Sequence, residues 1–263
     1  MPFPDSWPTL YPALNAVLEH FLTGVREVLP GNIIGAYLQG SFALGDYDQH
    51  SDVDFLVVTH HDPTDAEVAA LGAQHAAIHD FPPPWGHRFE GSYVPAPVLR
   101  LRPAGRALWF LDHGARSLER SPHDDTWVVR WVMRKTGIVL VGPDPRRLID
   151  EVSAAALRQE MRDNMVAWPA SWFPDAASIE ALWKQALIVV SYCRMLHTLR
   201  TGTVTSKKAA TDWAMTTLDG RWRPLIAASL AARPSQSLGA ADPRAVAETL
   251  AFVDYATRWA EGL

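Results

Sequence analysis

The chain has 263 residues, of which 48% are hydrophobic and 20% charged, and its formal net charge is −5. This length allows one large or two modest domains with packed cores. The negative charge and the absence of a long basic run argue against a protein that neutralises nucleic-acid phosphates. No apolar run approaches the ~20 residues of a membrane-spanning helix, so no membrane association is predicted.

The cellular compartment is predicted from the first residues and from cysteine usage. Met1 to Asp5 lack the basic and apolar regions of a signal peptide. The single cysteine, Cys193, cannot form an internal disulfide and suits a reducing environment. Because Cys193 lies in an apolar run, it is predicted to be a small core residue and not a nucleophile. A cytoplasmic protein is therefore expected.

The first half of the chain alternates predicted helices and strands. Apolar residues at helical spacing predict an amphipathic helix over about residues 8–29, which Pro30-Gly31-Asn32 ends. Helices are also predicted over residues 64–79 and from Asp125 or Thr126 to Lys135. Strands are predicted over residues 33–38, 53–59, 89–94 and 138–141. Together these elements predict a small mixed sheet flanked by helices.

The tripeptide His123-Asp124-Asp125 allows two interpretations. Its side chains could form a metal cluster, or an aspartate could cap the helix that follows. An aspartate before an apolar-periodic run is a common N-cap signal, so capping is the favoured interpretation.

The second half of the chain is predicted to be helical only. Pro143 and Pro145 indicate a linker region, and after Val152 no strand pattern follows. Helices are predicted over residues 153–168, 179–201, 206–218, 222–232 and 243–262, with short loops that favour a bundle. The expected fold class is therefore α+β, with an N-terminal domain at residues 1–152 and an all-α domain at residues 153–263.

The most informative pattern lies between the first two predicted strands. Gly40-Ser41 follows the first strand, and Asp52-x-Asp54 opens the second. Alternate residues of a strand point the same way, so the two aspartates share a face and repel each other unless a cation lies between them. Such oxygen ligands suit Mg²⁺ together with substrate phosphates. Gly40 permits close backbone approach, and Ser41 offers a hydroxyl to a phosphate. The alternative is a hairpin turn with a solvated acidic end.

This Gly-Ser-x10-Asp-x-Asp pattern resembles the signature of the DNA polymerase beta-like nucleotidyltransferases. Two later segments, Leu140-Val141-Gly142-Pro143 and the run Thr201 to Met215, are similar to the aminoglycoside 3''-adenylyltransferases, the streptomycin and spectinomycin resistance enzymes. The resemblance extends from about Gly35 to Trp222. It implies an N-terminal nucleotidyltransferase domain and an ATP- and Mg²⁺-dependent adenylyltransferase.

The resemblance also implies roles for individual residues. A third carboxylate is expected on a neighbouring strand, and Glu90 is the favoured candidate, with Asp112 and Glu119 as competitors. It would act as general base beside Asp52 and Asp54, the metal ligands. Lys207, with Lys208 as the second choice, would contact the triphosphate, and Arg194 would pair helices or lie on the phosphate side.

The acceptor side of the resemblance is less uniform. A pocket between the two domains is expected to bind the antibiotic. Two drug-contacting acids of the family fall on Glu180, which keeps its charge, and Lys184, which reverses it. The family's tyrosine near the nucleotide falls on Arg233, and Trp109 is the candidate for its drug-stacking tryptophan. A cation at Lys184 leaves open an acceptor other than an aminoglycoside.

Three hypotheses follow for the function. The first is adenylyl transfer to a hydroxyl of an aminoglycoside or aminocyclitol. The second keeps the reaction but changes the acceptor to a different small molecule or a protein side chain. The third is a catalytically silent nucleotide-binding relative, which the intact acidic trio Asp52, Asp54 and Glu90 disfavours. A monomer without nucleic-acid partners is expected.

Overall fold

The computed structural model describes residues 9–102, 106–232 and 242–263. The chain divides into two compact units, Met1–Glu151 and Val152–Leu263, which we call the first and second units. Among the described residues, no helix is both long and apolar enough to cross a membrane.

The first unit is built around one six-stranded sheet. Its strand order is β5-β4-β3-β2-β1-β6, with β2 and β3 parallel and every other neighbouring pair antiparallel. The mixed sheet predicted from the sequence is thus confirmed. In chain order, the elements are α1 (Pro12–Val28), β1 (Ile33–Leu38), α2 (Gly40–Ala43), β2 (Val53–Thr59), α3 (Asp65–His79), β3 (Phe89–Pro95), α4 (Ala96–Leu101), β4 (Leu108–Leu111), β5 (Glu119–Ser121), α5 (Trp127–Thr136) and β6 (Ile138–Val141).

Each face of this sheet has its own hydrophobic cluster, because alternate strand residues point to opposite sides. On one face, Phe55 and Val57 pack with apolar residues of α1 and α3. On the other face, Leu56 and Val58 pack with residues of α4 and α5, such as Val98 and Met133. Strand β2 is therefore covered on both faces, as its continuous apolar sequence predicts. Asp54 shares its face with Leu56 and thus lies on the α4–α5 side.

Local sequence signals explain where several helices begin. Thr64 and Glu67 form a reciprocal capping box at the start of α3. Ser153 and Ser206 accept backbone N–H groups at the starts of α6 (Ala154–Trp172) and α8 (Lys207–Thr217). The remaining helices of the second unit are α7 (Leu182–Thr201), α9 (Arg223–Ala232) and α10 (Pro243–Glu261). Cys193 is fully buried in α7, and burial raises the pKa of its thiol to about 12, as expected for a core residue.

Candidate active site

The parallel pairing of β2 and β3 brings the predicted acids together. Asp54 is in register with Glu90, and side chains of registered residues point to the same face of the sheet. Asp52 lies two residues before Asp54, at the same end of β2. The side chain of Asp52 is 37% exposed and that of Glu90 is 16% exposed. The acids therefore form one cluster at the amino ends of two central strands, open to solvent on one side.

The Gly40-Ser41 segment lies directly against this cluster. Gly40 has a φ of +57°, and a Cβ at this position would lie 1.9 Å from Asp54 Oδ2. Only glycine fits there, because any side chain would collide with the carboxylate and strain the backbone. The preceding residue, Gln39, donates its backbone N–H to the Asp54 carbonyl at 2.8 Å. Among the described residues, no partner satisfies the buried Ser41 hydroxyl, so it can serve a ligand.

Two histidines that the sequence analysis did not select contact the acids. His113 Nδ1 lies 3.0 Å from Asp52 Oδ1, and this carboxylate raises the pKa of His113. His123 Nε2 lies 3.2 Å from Glu90 Oε1, and this contact raises the pKa of His123 to about 9. The pKa of each imidazole is raised because carboxylates lie at the amino ends of β2 and β3.

The turn between β4 and β5 holds His113 beside the acids. The His113 backbone N–H donates to Asp112 Oδ1 at 2.9 Å, and Ala115 N donates to the Asp112 carbonyl at 2.8 Å. Gly114 N donates to the carbonyl of Phe89, the residue before Glu90, at 3.0 Å. These contacts fix the turn against the start of β3. The position of this turn beside the acids depends on strands β4 and β5, which were not predicted from the sequence.

The tripeptide before α5 is part of the site and does not cap the helix. Thr126, not an aspartate, is the N-cap and accepts from Val129 N at 3.0 Å. Asp124 is buried and accepts hydrogen bonds from Ser92 Oγ at 2.7 Å and Gln39 Nε2 at 3.3 Å. The favoured capping interpretation of the aspartates was therefore wrong.

The neighbouring Asp125 anchors the same segment. It accepts from Arg130 Nη2 at 2.7 Å, and both side chains are buried. Arg130 also donates to the carbonyls of Val98 and Leu99 in α4. This buried network fixes the segment on which His123 reaches Glu90. The long sequence separation of these partners explains why no local pattern revealed them.

The side chains at the cluster suit a divalent cation. Asp52, Glu90 and His113 each offer a ligand atom, and these atoms lie within 4.8 Å of one another. Carboxylate oxygens attract hard cations, and imidazole nitrogen adds affinity for first-row transition metals. Asp54 adds a further carboxylate from the strand position in register with Glu90.

The competing third acids occupy less favourable positions. Asp112 uses a carboxylate oxygen within its own turn, and Glu119 is exposed on the edge strand β5. Glu90 alone among the three is in register with Asp54. The geometry thus supports Glu90 as the third carboxylate.

Trp109 lies on the opposite face of the sheet from the acids. It is in register with Tyr93, whereas its neighbour Phe110 is in register with Ser92, on the Glu90 side. The Trp109 ring packs against the α1–α3 cluster, and the Arg120 guanidinium lies 4.1 Å from its centre. This placement does not support a drug-stacking role for Trp109.

The remaining predicted site residues belong to the second unit. Lys207 is the first residue of α8, directly after the Ser206 cap, and Arg194 lies on α7; both side chains are half-buried. Glu180 is exposed before α7, and Lys184 is half-buried in its first turn. Arg233 lies outside the described residues.

Comparison with known proteins covers both units. Residues 18–83 match the family model "Nucleotidyltransferase domain", and residues 147–258 match "Aminoglycoside adenylyltransferase, C-terminal domain". The aminoglycoside (3'') (9) adenylyltransferase of Shigella flexneri is 24% identical over 246 residues, covering 81% of this chain and 85% of the relative. The spectinomycin 9-adenylyltransferase of Staphylococcus aureus is 24% identical over 221 residues, covering 73% and 74%.

A solved structure agrees at the level of the fold. The spectinomycin adenyltransferase from Enterococcus faecialis, crystallised with ATP and spectinomycin, aligns with a TM-score of 0.72 and 15% identity, covering 94% of this chain and 98% of that one. With the acidic cluster on the predicted strands and family matches in both halves, the chain is a nucleotidyltransferase that is similar to the aminoglycoside adenylyltransferases.

Proposed function

We propose that this enzyme transfers AMP from ATP to a hydroxyl of an aminoglycoside or aminocyclitol antibiotic of the streptomycin or spectinomycin type. The observation that carries the proposal is the register of Glu90 beside Asp54, with Asp52 at the same strand end. Relatives named for this reaction align over most of the chain.

Asp52 and Asp54 are the proposed ligands of Mg²⁺, and the donor set fits because carboxylate oxygens are its preferred protein ligands. When bound, the cation neutralises charge on the triphosphate during in-line displacement. Asp52 and Asp54 would hold the cation between them, which would offset the repulsion between their carboxylates.

The chain's own groups perform the remaining chemistry. Glu90 accepts the proton of the attacking hydroxyl, whose oxygen bonds to the α-phosphorus while the bond to the leaving pyrophosphate breaks. General-base assistance of this kind contributes ~10²–10⁴-fold. The Ser41 hydroxyl, buried without a partner among the described residues, donates to a phosphate oxygen beside Gly40. Lys207 and Arg194 are proposed to contact the triphosphate.

The acceptor residues are proposed from the charges beside the start of α7. Exposed Glu180 offers a carboxylate to a cationic drug, which agrees with the names of the relatives. Lys184 opposes a polycationic drug by charge repulsion, and this favours an acceptor with fewer cationic groups or an acceptor of another class. We expect the enzyme to act in the cytoplasm as a monomer.

Pyrophosphate release from Mg·ATP tests the function directly. It is measured with streptomycin, with spectinomycin and with no acceptor, for the wild type and Glu90→Gln. Release that depends on a drug and falls by at least ~10²-fold in the variant supports both the reaction and the base. ATP binding without release for either drug would overturn the antibiotic assignment and turn the search to other acceptors.

A further inference from the structure

We propose that His113 is a nitrogen ligand of the catalytic cation and that the site therefore selects Mn²⁺ over Mg²⁺ more strongly than carboxylates alone would. The inference rests on the proposed function, because the cation in question is the one that serves adenylyl transfer. It adds a residue outside the acidic trio to the metal site.

The distances fit a shared cation. Ligand atoms of Asp52, Glu90 and His113 lie within 4.8 Å of one another, and His113 Nδ1 lies 3.0 Å from Asp52 Oδ1. An octahedral ion with bonds of about 2.1 Å holds adjacent ligand atoms about 3.0 Å apart and opposite ones about 4.2 Å apart. Small side-chain movements would therefore let Asp52 and His113 bind one ion, with Glu90, the proposed base, beside it.

Backbone contacts of the turn position His113 beside the acids. Gly114 N donates to the Phe89 carbonyl, which ties the turn to the residue before Glu90. Gly114 has a φ of +63°, and a Cβ there would lie 2.3 Å from the His87 carbonyl oxygen. The turn is thus packed too closely to shift freely. Because the backbone of the turn is already held, coordination has to order only the His113 side chain.

The chemistry of the donor set determines the metal preference. Mg²⁺ takes oxygen ligands and keeps several waters, whereas an imidazole nitrogen binds Mn²⁺ and later first-row ions more favourably. A mixed nitrogen and oxygen set shifts selectivity towards Mn²⁺. The competing explanation is that His113 only pairs with Asp52 in the absence of a cation and moves away when one binds.

Pulsed electron paramagnetic resonance separates these explanations. The protein is loaded with Mn²⁺ and inorganic tripolyphosphate, which supplies phosphate oxygens but no nitrogen. The spectra are recorded for wild type, His113→Ala and His60→Ala. His60 is the matched control, because it is an exposed histidine immediately after the other end of β2. Bound Mn²⁺ and Mg²⁺ are also titrated for each protein.

Directly bonded imidazole nitrogen is expected in the wild type and His60→Ala, and its signal disappears in His113→Ala. The Mn²⁺ affinity falls at least about ten-fold in His113→Ala, the lower bound for losing even an outer-shell partner, and the Mg²⁺ affinity falls less. The proposal is overturned by Mn²⁺ that binds without nitrogen coupling, by coupling that survives in His113→Ala, or by no binding at all. Drug-dependent pyrophosphate release with Mg²⁺ separately reports whether the proposed function stands.

Discussion

At the scale of single residues, the fit between Gly40 and Asp54 decides whether the acids are correctly placed. A Cβ on Gly40 would lie 1.9 Å from Asp54 Oδ2, whereas Gly45, in the same connection between β1 and β2 and with a φ of +69°, has nothing within 4 Å of a built Cβ. Both glycines have a positive φ, but only Gly40 lacks the space for a Cβ.

We therefore expect Gly40→Ala to lower turnover by ~10²-fold, the cost of misplacing a reacting group by about 1 Å. Gly45→Ala should share only the backbone penalty, about 1–2 kcal/mol of stability, and keep near-normal turnover. Turnover is measured in steady state, alongside the free energy of unfolding. Equal turnover in the two variants would show that the Gly40–Asp54 contact does not position the carboxylate.

Burial of a histidine inside the first unit predicts a pH dependence of stability. His75 Nε2 hydrogen-bonds the Tyr93 hydroxyl at 2.8 Å, and the ring stacks with Phe55. Burial lowers the pKa of His75 to about 3. Because the unfolded chain binds this proton near pH 6.5 and the folded chain does not, the free energy of unfolding falls as pH falls from about 6.5 to about 3.

His75→Phe should reduce this acid slope by up to about 1.4 kcal/mol per pH unit, the value for one proton. It should also lower stability at pH 7, because the Tyr93 hydroxyl loses its partner. Urea unfolding between pH 4.5 and 7.5 measures the slope, with exposed His60→Ala as the control. A slope that is unchanged in His75→Phe would contradict the assignment of this proton to His75.

At the scale of elements, the segment before α5 both stabilises the first unit and positions residues of the site. Asp125 and Arg130 form a buried pair with 7% and 1% side-chain exposure, whereas Arg100 and Asp150 form an exposed pair at 3.8 Å. Removing one partner of a buried pair leaves an uncompensated charge, which costs about 3–5 kcal/mol.

Asp125→Ala should therefore lose about 3–5 kcal/mol of unfolding free energy, and Asp150→Ala less than about 1 kcal/mol. Urea denaturation of both variants and the wild type gives the comparison. A loss below 1 kcal/mol for Asp125→Ala would mean that this pair does not anchor the segment.

The elements also show what a sequence alone can reveal. Strands β1 to β3 were predicted within a residue, because continuous apolar runs between turn signals are a local pattern. Strand β5 was missed because Glu119-Arg120-Ser121 has no apolar alternation and forms only as an edge strand beside β4. The α5 segment was misinterpreted because its partners, Ser92 and Gln39, are distant in sequence.

The acids of the site could be selected because a family pattern fixes their spacing. His123 was named only in the disfavoured metal-cluster interpretation and His113 was not selected, because these histidines reach Glu90 and Asp52 only through the fold. The sequence around His113 did contain a local signal, because Asp112-His113-Gly114 is typical of a turn. A turn after a strand is a common position for functional residues.

At the scale of the whole molecule, the proposed reaction uses residues of the first unit and Lys207 of the second unit. The family match extends into the second unit, where Lys207 follows the α8 cap. A cation at a helix start is unfavourable for the helix dipole and becomes favourable when an anion binds there. Lys208, the neighbouring lysine, is exposed and pairs with Asp212 at 2.5 Å.

Lys207→Ala should therefore weaken Mg·ATP binding by at least about ten-fold, whereas Lys208→Ala should change it less than about three-fold. Calorimetry gives the affinities, and thermal unfolding with saturating Mg·ATP gives an independent readout through ligand stabilisation. Equal affinities in the two variants would remove Lys207 from the nucleotide site.

The central claim is that Asp52, Asp54 and Glu90 transfer AMP to a hydroxyl of an antibiotic. Mass spectrometry of the drug after incubation with enzyme and Mg·ATP tests it most directly, with spectinomycin and streptomycin examined separately. A drug–AMP conjugate is expected for at least one drug with the wild type, and it should be lost with Glu90→Gln and with Asp54→Asn. A folded, ATP-binding enzyme that leaves both drugs unmodified, or a conjugate that forms undiminished with Glu90→Gln, would contradict it.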